Sequence, residues 1–100
     1  MATFIALISE TQQGETKFEE SVDRATRFKE NAEKFGIQIT GIYWTMGAYD
    51  GVLLFEAEKD ETAVAFLHYV ASKGTVRTQT LRAFDADATR SIIETMLKNQ

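Results

Sequence analysis

Four side chains have the residue types of a small ligand site. Trp44, Tyr49 and Asp50 lie in or beside the glycine-containing segment 46–51, and Arg82 follows much later in the chain. An aspartate carboxylate can act as an acid, a base or a ligand anchor, and an arginine guanidinium can bind an anion. Trp44, Tyr49, Asp50 and Arg82 are therefore the candidate ligand-binding residues, whereas the sequence leaves any catalytic residue unknown.

The segment 46–51 must be held by strands on either side of it. Apolar residues occupy successive positions in the predicted strands 3–9, 37–46 and 51–57. Successive side chains of a strand point to opposite faces, so both faces of this sheet are apolar. Two helices can cover one face, which leaves the other without cover. The sequence therefore predicts a homo-oligomer, a dimer or larger, in which sheets of two subunits are in contact.

A first amphipathic helix is predicted between residues 15 and 35, where apolar residues recur at three- and four-residue spacing. Gly36 ends this helix. Its start is either a capping box at Thr16 or an N-cap at Ser21 in a shorter helix, and we expect a turn before Ser21. The charged residues of the helix, Arg24 among them, are interpreted as a solvated face rather than a binding patch.

Two further helices and a fourth strand follow. Asp60 is the predicted N-cap of a second helix, which ends at Gly74. Segment 75–84 predicts a strand that is more polar than the others and therefore lies at a sheet edge. Asp85 or Asp87 then caps a C-terminal helix. The apolar stripe of that helix, which needs a surface on which to dock, consists of Ile92, Ile93, Met96 and Leu97.

The order strand, helix, strand, strand, helix, strand predicts an α+β chain of ferredoxin-like topology with an added C-terminal helix. Right-handed crossovers make the first and third strands the central pair of the sheet. The sequence has no proline, no internal repeat and no low-complexity linker. We therefore expect a single domain over residues 1–100.

This topology suggests where the candidate residues meet. We expect the start of the third strand and the end of the fourth to share one sheet edge, with the backbones of Asp50 and Arg82 about 9–10 Å apart. An ion pair between them would stand at the mouth of a cavity between sheets. In a structural interpretation, Asp50 caps the turn and pairs with Arg82, while Trp44 and Tyr49 pack in a subunit interface. Both interpretations stay open at this point.

The residues around the turn resemble those of the GYD-domain family. The resemblance rests on Tyr-Trp-Thr at 43–45, Gly47, Tyr-Asp at 49–50 and the strand 77–84, and it extends over nearly the whole chain. Ala48 interrupts a strict Gly-Tyr-Asp tripeptide. The resemblance implies a dimeric α+β barrel, related to the ligand-binding module of Lrp/AsnC regulators and to small monooxygenases and isomerases. It implies a fold rather than a function, because the family has no established activity.

Composition limits the remaining function classes. A net charge of −4 and a pI near 4.9 disfavour nucleic-acid binding. No apolar run approaches the roughly 20 residues that cross a bilayer, so no membrane partner is predicted. Metal-ligand spacings and phosphate-binding glycine loops are absent, cysteine is missing, and His68 is expected at the surface. We therefore predict no metal and no cofactor and, because no leader sequence is recognised, a cytoplasmic protein.

Three functions remain open. The favoured one is a small barrel protein that binds a small molecule in a cavity at or near the sheet–sheet dimer interface. The alternatives are a cofactor-independent enzyme of monooxygenase or isomerase type and a purely structural oligomerisation module. A binder needs a cavity, an enzyme needs a cavity with a poised acid or base, and an oligomerisation module needs neither.

Overall fold

A computed structural model describes residues 1–100 and contains a four-stranded antiparallel sheet with helices. The strands are β1 (Ala2–Glu10), β2 (Gln38–Trp44), β3 (Gly51–Ala57) and β4 (Val76–Ala83), and the helices are α1 (Gln12–Thr16), α2 (Ser21–Ala32), α3 (Asp60–Ala71) and α4 (Ala86–Lys98). The strand order is β2-β3-β1-β4. The predicted ferredoxin-like α+β topology is therefore confirmed, including the central pair β1 and β3 and the edge position of β4.

The predicted helix over residues 15–35 is divided in the structure. The short helix α1 and a 3-10 turn at Phe18–Glu20 precede α2, so the expected turn before Ser21 is confirmed. A second 3-10 turn, Glu33–Phe35, extends α2 to Gly36, which has φ of +73° and ends the helix as predicted. Left-handed φ values are adopted at little cost only by glycine.

The predicted caps of the last two helices have different outcomes. Lys59, not Asp60, is the N-cap of α3, and Asp60 is the first residue inside the helix. Its negative charge there still interacts favourably with the positive end of the helix dipole. Asp85 is the N-cap of α4, and its carboxylate accepts a hydrogen bond from the Ala88 N–H at 2.8 Å. Of the two aspartates considered, Asp85 is therefore the cap.

One face of the sheet is covered by α2 and α3. Phe55 of β3 is fully buried, and its ring lies 5.2 Å from that of Phe4 and 5.9 Å from that of Phe66. Offset and edge-to-face aromatic pairs at such distances stabilise a core beyond the area that they bury. The other buried apolar residues are Ala6, Ala32, Ile37, Leu53, Ala57, Ala63, Val70 and Val76.

The opposite face of the sheet, which we call the free face, has no cover within the chain. The apolar side chains of β1 and β3 that point to this face are only partly buried: Ile5, Leu7, Val52 and Leu54. Helix α4 has no buried residue and makes no extensive contact with another element. The radius of gyration is 15.5 Å, against about 13 Å for a compact domain of this length. No helix combines the length and the apolar character that crossing a membrane requires.

Candidate functional site

The β2–β3 turn is closed by its own hydrogen bonds. The Thr45 N–H donates to the carbonyl of Asp50 at 2.9 Å, and the Thr45 hydroxyl donates to the carbonyl of Tyr49 at 2.7 Å. Gly47 has φ of +112°, which side-chain-bearing residues rarely adopt. The turn therefore fixes the directions of the two candidate side chains that it carries.

Tyr49 and Asp50 point to different regions although they are adjacent in sequence. The Tyr49 hydroxyl donates to Gln79 Oε1 at 2.8 Å, and Gln79 lies opposite Leu7 on the free face. Asp50 Oδ2 accepts a hydrogen bond from the Glu10 N–H at 2.7 Å, and the Asp50 N–H donates to the carbonyl of Ile8 at 2.8 Å. Asp50 therefore provides hydrogen-bond partners for backbone groups at the end of β1, while Tyr49 covers part of the free face.

The predicted ion pair between Asp50 and Arg82 is wrong. Antiparallel pairing sets Gly51 opposite Ile8, at the end of β1, and sets Arg82 opposite Phe4, near its start. These positions are four residues apart along β1, a separation of about 13 Å. The error came from the expectation that the start of β3 and the end of β4 share one sheet edge. Both strands pair antiparallel with β1, so the start of β3 lies beside the end of β1 and the end of β4 lies beside its start.

Arg82 has structural contacts at its own end of the sheet. Its guanidinium lies over the rings of Phe84, at 4.7 Å, and Phe4, at 5.5 Å. Its Nη1 also donates to the carbonyl of Ala83 at 2.8 Å. Cation–π contacts of this kind orient an arginine even at an exposed position.

Trp44 and Asp50 line a cavity of about 70 Å³ between the sheet and α2. A cavity of this size can hold several waters or a small organic group. Tyr49 and Arg82 do not line it, so the structure brings together two of the four candidate residues. The remaining lining residues are Ile8, Glu10, Ser21, Arg24, Ala25, Phe28, Ile42, Tyr43, Gly51 and Val76.

A buried ion pair forms one wall of this cavity. Arg24 Nη2 lies 3.4 Å from Glu10 Oε2, and the two side chains are only 9% and 6% exposed. Arg24 Nη1 also donates to the carbonyl of Lys17 at 2.9 Å. The interpretation of Arg24 as part of a solvated helix face is therefore wrong, because the chain before α2 folds over this side chain.

The surroundings of Glu10 shift the pKa of its carboxyl upwards. Burial raises the pKa of the Glu10 carboxyl, and the neighbouring carboxylates of Asp50 and Glu15 act in the same direction. The Arg24 guanidinium opposes the rise without cancelling it. Perturbed carboxyl groups beside a cavity are typical of functional sites, although structural ion pairs also produce them.

Gly14 of α1 packs directly against this carboxylate. A Cβ at position 14 would overlap Glu10 Oε2 and the carbonyl of Thr75. Even an alanine at this position would displace both groups. Glycine at position 14 is therefore a condition for the placement of Glu10 in the cavity wall.

A second cavity of about 50 Å³ adjoins the first and shares part of its wall. Its lining is almost wholly apolar: Ile8, Ala25, Phe28, Ile39, Ile42, Leu53, Leu67, Val70 and Thr78. The arrangement thus has a charged end near the turn and an apolar end below α2 and α3. No cluster of three or more histidine or carboxylate side chains is placed to hold a metal ion. His68, which was expected at the surface, is exposed.

Sequence reasoning missed Glu10 and Arg24, although a signal for Arg24 was present. Ser21, Arg24 and Phe28 follow the spacing i, i+3, i+7, which places Arg24 on the apolar side of α2. A charged residue within an apolar stripe needs a buried partner. The sequence did not identify Glu10 as that partner, because their contact joins α2 to the end of β1.

Comparisons with known proteins agree with this fold. The family model of the GYD domain matches residues 4–93. The glutamine synthetase and cystathionine beta-lyase binding protein of Thermus thermophilus is 33% identical over 84 residues, which cover 83% of this chain and 88% of the relative.

Two solved structures share the fold at low sequence identity. The feast or famine regulatory protein of M. tuberculosis, complexed with L-methionine, has a TM-score of 0.66 and 13% identity over 86% of this chain. This chain spans 52% of that protein's length. The 5-chloro-2-hydroxyhydroquinone dehydrochlorinase of Burkholderia phenoliruptrix, in complex with 2,5-dihydroxybenzoquinone, has a TM-score of 0.60 and 16% identity, over 87% of this chain and 97% of the enzyme.

The likeness to these structures shows a shared fold alone. The family-model match over residues 4–93 and the sequence identity with the Thermus relative show membership of a common family. The resemblance inferred from the turn residues is therefore confirmed. This chain belongs to the GYD-domain family.

Proposed function

We propose that this protein binds a small molecule in the cavity between α2 and the sheet. The observation that carries the proposal is the buried pair of Glu10 and Arg24 in the wall of an accessible cavity. Apolar residues can often replace a buried ion pair without loss of stability, because removing charges from water offsets their attraction. Charged groups in this position are better explained by contact with a ligand.

The proposal gives the four residues singled out from the sequence different roles. Asp50 and Trp44 bind the ligand together with Glu10, whose carboxylate Arg24 holds in the cavity wall. Tyr49 lies at the subunit interface, since its side chain extends over the free face to Gln79. Arg82 has a structural role, since its contacts hold Phe84 and the start of the β4–α4 connection against the sheet.

We further propose a cytoplasmic homo-oligomer built on a dimeric α+β barrel. The free face supports this part of the proposal, because Ile5, Leu7, Val52 and Leu54 form an apolar surface without cover. The apolar stripe of α4 supports it as well, since Ile92, Ile93, Met96 and Leu97 are each 45–57% exposed. Extended apolar surfaces of this kind usually mark contacts between proteins.

Ligands of the structural neighbours are compatible with a small-molecule site. The feast or famine regulatory protein was solved with L-methionine, and the dehydrochlorinase with 2,5-dihydroxybenzoquinone. These ligands belong to those proteins, and they illustrate only that the fold can hold small molecules. The ligand of the present protein must be sought through its own cavity.

The Thermus relative favours a second candidate function, the binding of a metabolic enzyme. That relative is named for its binding to glutamine synthetase and cystathionine beta-lyase. A pull-down with purified glutamine synthetase and cystathionine beta-lyase tests this function directly. Saturable binding of either enzyme supports it, and the absence of binding at micromolar concentrations contradicts it.

Catalysis and assembly alone are the remaining alternatives. The raised pKa of Glu10 beside the cavity would suit a general acid or base, which favours a cofactor-independent enzyme. Turnover of a bound compound that is lost in Glu10→Gln distinguishes an enzyme from a binder. A protein that assembles normally and binds no compound in a broad screen would be an oligomerisation module.

Binding is tested with Asp50→Asn in a thermal-shift screen of small metabolites. Asparagine can still accept the hydrogen bond from the Glu10 N–H, so the melting temperature should stay nearly unchanged while binding weakens. Glu30→Gln, which removes an exposed carboxylate from α2, is the matched control and should bind like the unmodified protein. Loss of the fold in Asp50→Asn without any ligand effect would assign the turn to structure alone.

A further inference from the structure

The charges around the cavity indicate which ligands it would accept. Three carboxylates, those of Glu10, Glu15 and Asp50, influence this end of the cavity, against the single guanidinium of Arg24. The net charge at the site is therefore negative when these groups are ionised. A ligand that placed a second anion beside Glu10 and Asp50 would meet repulsion in a region largely removed from water.

Both terminal nitrogens of Arg24 already have partners within the protein, which leaves the guanidinium less able to hold an anionic ligand. Its Nη1 donates to the carbonyl of Lys17, and its Nη2 faces both oxygens of the Glu10 carboxylate. The Glu10 carboxylate, by contrast, keeps much of its capacity to accept hydrogen bonds. Its distance of 3.4 Å to Arg24 is longer than the roughly 2.7–2.9 Å of a strong charge-assisted bond.

Asp50 adds a second acceptor close to the first. Its Oδ2 accepts the Glu10 N–H at 2.7 Å, which fixes the carboxylate at the cavity wall. The indole of Trp44 stands at the rim, where it is 45% exposed, and an aromatic face of this kind attracts cations. The groups available to a ligand are thus acceptors and an aromatic ring.

The adjoining apolar cavity limits the size and the polarity of the rest of the ligand. Its volume is about 50 Å³, and Ile8, Ala25, Phe28 and Ile42 line both cavities. We infer that the site takes a small primary amine whose ammonium group faces Glu10 and Asp50 and whose short apolar body extends below α2. This inference rests on the proposed function. The pKa of Glu10 is raised mainly by burial, and the carboxylates of Asp50 and Glu15 add a contribution that an ammonium group at this position would offset.

Trp44 is the only tryptophan in the chain, so its fluorescence reports on the cavity without a signal from another tryptophan. The test compares n-butylamine, n-butanol and butyrate, which share an alkyl chain and differ in head group, at constant pH and ionic strength. We expect a saturable change with n-butylamine, about tenfold weaker binding of n-butanol and no saturable change with butyrate. Calorimetry repeats the comparison without the fluorescent reporter.

Variants identify the side chains that are responsible for binding n-butylamine. Glu10→Gln and Asp50→Asn should each weaken n-butylamine binding about tenfold, while the control Glu30→Gln should leave it unchanged. Circular dichroism verifies that each variant is folded, and Asp50→Asn alone carries the test if Glu10→Gln does not fold. Butyrate or n-butanol binding at least as tightly as n-butylamine would overturn the assignment of an amine but keep the proposed function. No saturable binding of any of the three probes would also overturn the assignment of an amine, while the thermal-shift screen of metabolites decides the proposed function separately.

Discussion

The two faces of the sheet differ although the same strands form both of them. On the helix-covered face, Phe4, Ala6 and Phe55 are at most 7% exposed. On the free face, Ile5 and Leu54 alternate with them along β1 and β3 and stay partly exposed. Since the strands supply apolar residues to both sides, the position of the helices decides which side is buried.

The two faces of the sheet therefore have different roles in the molecule. The covered face contains the core and the cavity with its buried charges, and both are complete within one chain. The free face and α4 have no partner within the chain, so we assign assembly to them. A ligand cavity between the sheets of two subunits stays a prediction, and the cavity described above lies on the other side of the sheet.

The largest effect is expected in the core of the covered face. Phe55→Ala should lower the free energy of unfolding by about 3–5 kcal/mol, because it leaves a void where two aromatic rings pack. Val64→Ala, at an exposed position of α3, is the matched control. Urea denaturation should give a smaller loss for Val64→Ala than for Phe55→Ala, and equal losses would contradict the placement of the core on the covered face.

A charge on the free face should act on assembly. Leu54→Lys places an ammonium group in the proposed contact between sheets, where it would be desolvated without a partner. We expect light scattering to report a fall in mass at micromolar concentration. Glu58→Lys introduces the same charge at an exposed position after β3 and should keep the mass of the unmodified protein. A stable folded monomer before any substitution would remove the basis of this prediction.

Removing α4 tests whether the apolar stripe of this helix contributes to assembly. Deletion of residues 86–100 should lower the oligomer mass or the melting temperature, because the exposed stripe of α4 is expected to dock on a neighbouring subunit. The point variant Ile92→Asp should have the same effect in weaker form, and Arg90→Ala on the polar side should have none. Unchanged mass and melting temperature after the deletion would mean that α4 is dispensable.

The smallest expected effect is a pH dependence of stability that arises from Glu10 on the covered face. The pKa of Glu10 is raised mainly by burial, with Asp50 and Glu15 adding to the rise and Arg24 opposing it. The folded protein therefore keeps the Glu10 proton to a higher pH than the unfolded chain does. Stability from this group is complete below the ordinary carboxyl pKa and is lost as pH rises through the raised value.

Glu10→Gln removes this titration, so the melting temperature of the unmodified protein should fall relative to that of Glu10→Gln across the same pH interval. Scanning calorimetry from acidic to neutral pH measures the difference. A difference that stays constant with pH would exclude a raised pKa for Glu10.

Much of the fold could be predicted from the sequence because its signals are local. Alternating apolar residues defined the strands, and Gly36 marked the end of the first long helix. The positions of Asp50 and Arg82 depend on which strand ends meet, so one wrong assumption about strand direction separated them by most of the length of β1. Arg24 was misjudged although its spacing to Phe28 places it on the apolar side of α2, because its partner Glu10 and the chain that covers it before α2 lie outside the helical pattern.

Gly14 has a consequence for the divergence of related sequences. A side chain at position 14 would occupy the space of both the Glu10 carboxylate and the Thr75 backbone carbonyl, so both groups would have to give way to it. Among relatives, a substitution at position 14 should therefore be accompanied by a change at position 10 and by a different backbone path at position 75. A relative with alanine or serine at position 14 should have lost the acid at position 10, and with it the recognition chemistry of this cavity, even where the rest of the sheet is unaltered.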